Sequence, residues 1–169
     1  MKLNIVLVEP EIPSNTGNIS RSCSVTGASL HLVHPLGFDI SEKQVRRAGL
    51  DYWSELDLHE YNSFDEVKEK NPYGKFFYCS TKAAHVYSDV DYKKCVESGE
   101  KSEIFLVFGK ETKGLPEDLL RENYDDCIRI PMRENMRSLN LSNAVAIIAY
   151  EVLRQFEFEG MQNEGRLTT

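Results

Sequence analysis

The sequence predicts an α/β fold, in which a single domain is built on a parallel sheet covered by helices on both faces. Short apolar runs bounded by turn residues, typical of buried strands, alternate along the 169 residues with segments of helical apolar spacing. Such alternation is typical of parallel sheets, because their strands are joined by crossover helices. The length also suits one domain that buries a core without disulfides or metal.

The first 61 residues are predicted to alternate strands and helices between clear breakers. Leu3–Val8 is short and branched and is stopped by Pro10, as expected of a buried strand. Ser14 or Asn15 can cap a helix that ends before Gly27. The other elements expected here are a strand over 30–33 that ends at Pro35-Leu36-Gly37, a helix over 41–48 capped by Ser41, and a weak strand over 56–61.

The rest of the chain continues this alternation. Ser63 to Glu66 matches a capping box and opens a helix that ends before Pro72. Strands follow over 75–79, 104–108 and 127–130, with a helix from Pro116 toward Asn123 between the last two. A long helix over 140–156 has one broad apolar face. We expect one domain over 1–156 and a polar C-terminal tail over 157–169.

Composition favours an ordinary globular protein, with 41% apolar and 28% charged residues. The sequence begins without the pattern of a signal peptide and has no run of about 18 apolar residues, so we expect a cytoplasmic protein with no membrane partner. The four cysteines and four histidines show none of the close spacings of metal sites, and we expect no metal.

Charge gives two opposite indications about a nucleic-acid partner. A net charge of −7 argues weakly against one. The charges are uneven, however, with seven carboxylates and one lysine over residues 51–69. Basic residues cluster instead at Lys43, Arg46 and Arg47 and at Arg129, Arg133 and Arg137. A local basic face and a set of solvated helix faces without a partner explain this distribution equally well.

Three loops with unusual chemistry follow predicted strands, over residues 9–21, 108–115 and 130–143. Ligands of open α/β sheets bind beyond the carboxyl ends of the strands, where these loops lie. The middle loop is not a P-loop, because Leu115 and Pro116 stand where Gly-Lys-Ser/Thr would be needed, and no Rossmann glycine fingerprint is present. ATPase and dehydrogenase functions are therefore disfavoured.

Each loop taken alone has an ordinary structural explanation. Gly109 lets a ligand approach the backbone, but it also suits a plain turn. Arg21 lies one turn beyond Gly17. It could strengthen an anion site at the helix start, or it could be an ordinary surface arginine on an amphipathic helix. The polar run from Ser138 to Asn143 fits helix capping.

Together, the three loops resemble the three motifs of the SpoU branch of SPOUT RNA 2′-O-methyltransferases. The matching segments are NTGNISR at Asn15–Arg21, FGKETKG at Phe108–Gly114, and IPM followed by SLNLSNAVAIIAYE at 130–132 and 138–151. EPEIPSNTGN and RRAGLDYW further resemble the small tRNA (cytidine/uridine-2′-O)-methyltransferases of this branch. The likeness runs from about Lys2 to Phe156, and the order of the motifs makes it specific.

The resemblance implies a C-terminal deep trefoil knot, a homodimer and S-adenosylmethionine as methyl donor. General topology rules would not have suggested the knot, since knotted folds are rare. Carried over by motif, the cofactor pocket would use five residues, whose backbone groups read the adenine and ribose. These residues are Cys79, Gly109, Ile130, Ser138 and Leu139.

The resemblance also assigns catalytic and RNA-binding residues. Arg21 would be essential for catalysis, while Asn15 and Glu111 would organise the site, although Glu111 could instead only satisfy backbone donors of its own loop. The residues expected to bind RNA are Arg46, Arg47, Arg133, Arg137 and Tyr150, the last of which could also pack in the core.

The expected substrate is tRNA, at the wobble cytidine or uridine of the anticodon loop, whose bases are accessible to stacking and edge recognition. One alternative is 2′-O-methylation of rRNA or of another tRNA position. Another, from a different class, is a non-catalytic RNA-binding dimer module of the same fold.

Overall fold

The computed structural model describes residues 1–40, 55–96 and 102–167, and within them one seven-stranded sheet is formed. Its order is β3-β2-β1-β6-β4-β7-β5, and neighbouring strands run parallel throughout. The strands are β1 Lys2–Val8, β2 Ser29–Val33, β3 Leu58–Tyr61, β4 Lys75–Cys79, β5 His85–Val86, β6 Glu103–Phe108 and β7 Cys127–Arg129. The predicted α/β class with a parallel sheet is confirmed.

Four α-helices accompany the sheet in the described residues. They are α1 Pro13–Thr26, α2 Phe64–Lys70, α3 Glu117–Glu122 and α4 Leu141–Gln155. A short 3-10 helix over Tyr124–Asp126 precedes β7. None of the helices is both long enough and apolar enough to cross a membrane, as far as the described residues go.

Alternate residues of the central strands enter two separate cores. Leu3, Ile5 and Leu7 of β1 are buried in the core that contains residues of α1 and α4. Val6 and Val8 face the other core, to which α2 and α3 contribute. Because side chains of a strand alternate between faces, this burial on both sides explains why β1 and β6 are almost uninterrupted apolar runs.

The start of α1 differs from the prediction. The helix begins at Pro13 with Ile12 at the N-cap position and no capping side chain, so neither Ser14 nor Asn15 caps it. Proline suits the first turn of a helix, because its φ is already helical and its missing N–H would have no partner there. Because Asn15 lies inside the first turn and does not cap it, its side chain can form hydrogen bonds to other loops at this edge of the sheet. Gly27 ends α1 in the left-handed conformation, as predicted.

Other boundaries agree closely with the sequence. Ser63 caps α2 and accepts the Glu66 N–H at 3.3 Å, whereas the Glu66 carboxylate accepts the N–H of Asn62 at 2.9 Å. Pro116 is the N-cap residue of α3 rather than its first helical residue. β5 and the 3-10 helix were not predicted, since two or three residues show no periodicity. The helix predicted over 41–48 lies outside the described residues.

The C-terminal end of α4 lies against the segment 87–93, which follows β5. The Gln155 side chain donates to the Val90 carbonyl at 2.8 Å and accepts the N–H of Tyr92 at 2.8 Å. Tyr92 is fully buried beside Phe77. Beyond α4, in the part predicted to be a polar tail, Phe158 and Met161 pack on the core.

Candidate active site

A cavity of about 770 Å³ opens beyond the carboxyl ends of β4, β6 and β7. Ligand pockets in proteins commonly measure about 300–1,000 Å³, so a molecule of cofactor size can be enclosed. All five residues predicted to bind the cofactor line this one cavity, although they come from four separate stretches of the chain. They are Cys79, Gly109, Ile130, Ser138 and Leu139.

Gly109 makes the turn after β6 possible. A Cβ atom at this position would lie 2.1 Å from the Gly114 carbonyl carbon and 2.2 Å from the Leu115 nitrogen. The turn is closed by a hydrogen bond from the Gly114 N–H to the Lys110 carbonyl at 2.8 Å, and Gly114 has a φ of 69°. Only glycine avoids the overlap at position 109, and the positive φ at position 114 favours glycine there as well. The glycines therefore fold this turn back along the cavity wall.

Glu111, in that turn, bonds to the start of α1. Its carboxylate accepts the N–H of Glu11 at 2.8 Å, the N–H of Ile12 at 3.1 Å and the side-chain amide of Asn15 at 3.1 Å. These donors belong to the loop after β1 and to the first turn of α1, so the alternative in which Glu111 serves only its own loop is wrong. A carboxylate at a helix start is also favoured by the helix dipole.

Asn15 and Asn140 extend this contact to the last helix. The Asn140 side chain donates to the side-chain oxygen of Asn15 at 3.0 Å. Its own oxygen caps α4 by accepting the N–H of Ser142 at 2.9 Å and that of Asn143 at 3.4 Å. Asn15 is 4% exposed, and its two partners fix the orientation of its side-chain amide. The three predicted loops are thus joined by one chain of hydrogen bonds.

Asn140 was not among the residues predicted for the site. Its sequence context, the Ser138–Asn143 run, indicates helix capping, and it does cap α4. Its second role, donation to Asn15 across 125 residues, depends on the approach of α4 to α1. A local sequence pattern cannot predict that these two helices pack against each other.

Cys79, at the end of β4, has a thiol that stays protonated. Burial raises its pKa well above 9.0, and the nearby Cys127 raises the pKa further. The thiolate, not the thiol, is the nucleophilic form of cysteine. Cys79 therefore presents a neutral, non-nucleophilic side chain to the cavity.

The predicted RNA-binding residues are distributed differently. Arg133 and Arg137 are both exposed in the segment before α4, and Arg137 also lines the cavity. Tyr150 is 42% exposed on α4, so it is not a core residue, and its ring lies 6.4 Å from that of Phe158. Arg46 and Arg47 lie outside the described residues.

Arg21 lies on α1 and is exposed, outside the lining of the cavity. Three further basic residues, which were not predicted, do line it at loops after β4 and β6, namely Lys82, Lys110 and Lys113. Lys82 forms an ion pair with Glu117. Among the described residues, no group of three or more His, Cys, Asp or Glu side chains could hold a metal ion.

Comparisons with known proteins identify a family to which the sequence is similar. The profile of the SpoU rRNA Methylase family matches residues 2–150. A Listeria innocua protein provisionally named tRNA (cytidine(34)-2′-O)-methyltransferase is 52% identical over 164 residues, which cover 97% of this chain and 94% of that protein. A Saccharophagus degradans protein that has the same name without that reservation is 45% identical over 161 residues, 93% of this chain and 97% of that protein.

The sheet and its loops also match a solved structure. A protein described under "Structural insights into the 2-OH methylation of C/U34 on tRNA" is 38% identical and superposes with a TM-score of 0.81. The match covers 92% of this chain and 97% of that one.

Proposed function

Because the chain belongs to the SpoU rRNA methylase family, we propose that it transfers a methyl group from S-adenosylmethionine to a ribose 2′-hydroxyl of tRNA. The target is the cytidine or uridine at the wobble position, as named for the relatives and the solved structure. The observation that carries the proposal is the convergence of residues from four stretches of chain on one cavity, with Glu111, Asn15 and Asn140 joining the loops.

The residues present fit S-adenosylmethionine. The cavity has cofactor size, and its wall combines apolar side chains at Leu115, Ile130 and Leu141 with backbone groups at strand ends. Apolar walls with a few placed polar groups are typical of nucleoside pockets. Cys79, Gly109, Ile130, Ser138 and Leu139 would hold the adenosine part. When bound, the donor supplies an electrophilic methyl group on a positively charged sulfur.

The chain's own contribution to chemistry is to align and activate the ribose hydroxyl. Such a hydroxyl is almost wholly protonated at neutral pH, so its oxygen must be positioned and its developing negative charge stabilised. A guanidinium stays protonated up to a pH of about 12, which makes arginine a poor general base. Arg21 is therefore assigned to bind an RNA phosphate and stabilise the alkoxide, while the phosphate or water takes the proton. Asn15 and Glu111 hold the loops in place.

RNA would be positioned by phosphate contacts of Arg46, Arg47, Arg133 and Arg137, with Tyr150 as a further contact. The exposure of Arg133, Arg137 and Tyr150 supports this assignment. Contacts of this kind release counterions, so tRNA affinity should fall steeply as salt is raised from 50 to about 200 mM. A complex whose affinity does not respond to salt would contradict these contacts.

Three further features belong to the proposal. The 1–156 domain is expected to contain a deep trefoil knot. The position of β7 between β4 and β5 supports it, because the chain that leaves β7 must pass the short loop that joins those two strands. A homodimer is supported by α1 and α4, which pack together and both expose apolar side chains, among them Val25 and Ile147. The enzyme would act in the cytoplasm without metal.

The direct test is methylation of total tRNA from cells that lack the protein, with isotope-labelled S-adenosylmethionine, followed by mapping of the modified nucleoside. We expect label on the ribose of nucleotide 34. Because the family description names rRNA, rRNA from the same cells is the parallel substrate. Label confined to rRNA or to another tRNA position would show that the substrate is that RNA and not nucleotide 34 of tRNA. Failure to bind the donor in calorimetry would favour a non-catalytic module.

A further inference from the structure

Two loops exchange hydrogen bonds through a pair of glutamates about 100 residues apart. The Glu111 carboxylate accepts the N–H of Glu11 at 2.8 Å. In return, the Glu11 carboxylate accepts the N–H of Thr112 at 3.0 Å and the Thr112 hydroxyl at 2.8 Å. Each loop thus donates a backbone N–H to a carboxylate of the other. We propose that Glu11 is a positioning residue that, through Thr112, holds the 109–115 turn in the shape that binds the methyl donor.

The arrangement resembles a capping box, in which two side chains satisfy each other's backbone donors and close a ring. Two charge-assisted bonds that close a ring hold the two loops together more strongly than one bond would. When one bond breaks, the other keeps the loops close enough for it to form again. The bonds from Thr112 are the main cause that lowers the pKa of Glu11 below 4.5, with Lys110 and Lys113 adding to it. The carboxylate is therefore ionised, the form that accepts both donors, at neutral pH.

Glu11 is itself held in place by a third loop. The Gly37 N–H donates to the Pro10 carbonyl at 2.9 Å, and a Cβ at Gly37 would lie 2.8 Å from the Cα of Glu11. The backbone that carries the Glu11 carboxylate is thus packed against the loop after β2. Because its backbone is fixed, the Glu11 side chain can restrain the 109–115 turn. A side chain on a mobile loop would instead move together with the turn.

The turn that Glu11 restrains forms one wall of the cavity. Gly109, Thr112 and Leu115 all line it, and the turn is closed at its base by the Gly114 to Lys110 bond. Thr112 lies near the middle of this turn, so a bond there restrains both arms. Glu11 lies outside the lining and acts through the turn rather than on the donor.

The inference rests on the proposed function, and its test can fail separately from it. The probe is S-adenosylhomocysteine, titrated calorimetrically into the wild-type protein, Glu11→Gln, Thr112→Val and Thr112→Ser. Glu69→Gln, on the exposed face of α2, is the matched control. Glu11→Gln and Thr112→Val should each weaken binding about tenfold, corresponding to one lost charge-assisted bond. Thr112→Ser keeps the hydroxyl and should bind within about twofold of wild type. The variant that combines Glu11→Gln with Thr112→Val should bind no more weakly than either single variant, because both changes remove the same bond.

A merely structural role would not give this pattern. With saturating donor, kcat of Glu11→Gln should change less than about threefold, because the loss lies in donor binding. In the ligand-free protein, amide hydrogen exchange at Thr112 should accelerate in Glu11→Gln while exchange in β6 stays unchanged. Wild-type affinity in Glu11→Gln, or equal losses in Thr112→Val and Thr112→Ser, would overturn the proposal. If the wild type binds no S-adenosylhomocysteine, the proposed function fails, and the exchange rate of Thr112 in Glu11→Gln alone tests whether Glu11 restrains the turn.

Discussion

Gly109 illustrates how a single residue without a side chain shapes the site. Its neighbour across the turn, Gly114, is so close that any Cβ at position 109 would overlap backbone atoms. A backbone contact cannot be relieved by a rotamer change, so the turn itself would have to move. The residue therefore controls both stability and the shape of the cavity wall.

Gly109→Ala should lower the free energy of unfolding by about 2–3 kcal/mol, the range of overpacked sites, and weaken donor binding as well. The measurement is urea unfolding followed by circular dichroism. Gly165→Ala is the control, because a Cβ there would meet nothing within 4 Å. Equal stability of the two variants would show that the turn relaxes without cost.

Arg21→Lys tests whether the guanidinium is needed for more than its charge. Lysine keeps the charge but loses the bidentate fork that fits a phosphate. We expect turnover to fall about 100-fold or more, in the range seen when one stabilising donor of a transition state is removed, with donor affinity unchanged. Single-turnover methylation of tRNA measures this, with the exposed Arg121→Lys of α3 as control. Near-normal turnover would defeat the assigned role.

At the scale of elements, α4 is positioned by its N-cap. Asn140 performs two tasks at once, because its oxygen caps the helix and its amide nitrogen donates to Asn15. The cap was foreseeable from the Asn-Leu-Ser-Asn run, since asparagine is favoured at this position. The donation was not, because it needs the start of α4 to lie beside the start of α1.

The two tasks of Asn140 can be separated by substitution. Asn140→Ala should cost about 1 kcal/mol of stability through loss of the cap, together with the contact to Asn15. Asn140→Asp keeps the acceptor for Ser142 and Asn143 but cannot donate to Asn15, so stability should stay within about 0.5 kcal/mol while methylation falls. Urea unfolding and steady-state methylation are the two measurements. An aspartate variant as active as wild type would show that the contact to Asn15 is dispensable.

At the scale of the whole molecule, stability depends on a histidine buried in the sheet. His31 is 3% exposed, with Nδ1 2.9 Å from the Tyr61 hydroxyl and Nε2 3.0 Å from the side-chain oxygen of Asn4. Burial, together with a smaller contribution from His59, which stacks on it, lowers its pKa from 6.5 to about 3. The folded protein therefore keeps this ring neutral where the unfolded chain would protonate it.

The sign of the pH dependence follows. Below pH 6.5 the unfolded chain binds a proton that the folded protein does not, so the free energy of unfolding falls as pH falls, by up to about 1.4 kcal/mol per pH unit. Urea unfolding at pH 7.5, 6.5, 6.0 and 5.5 measures this slope above the range in which carboxyl groups titrate, since the ordinary pKa values of Asp and Glu are about 3.9 and 4.3. His31→Gln should flatten it, whereas exposed His85→Gln should not. An unchanged slope in His31→Gln would refute the assignment.

The sequence by itself determined the elements and the loops that carry the chemistry. These signals are local, and they can be recognised without knowing which other parts of the chain they contact. They are the apolar strand runs, the Ser63 cap, Gly27 and the three polar loops. The motif resemblance added the candidate residues, and the structure brings the five assigned to the cofactor around one cavity.

Only the tertiary structure decided which of these residues meet. β6 lies directly beside β1, which brings Glu111 within hydrogen-bond distance of Asn15, 96 residues away. The packing of α4 against α1 brings Asn140 to Asn15, 125 residues away. The two-residue β5 and the burial of His31 were equally undetermined. The physical reason is that propensity and capping depend on near neighbours, whereas strand order is selected by burial summed over the entire sheet.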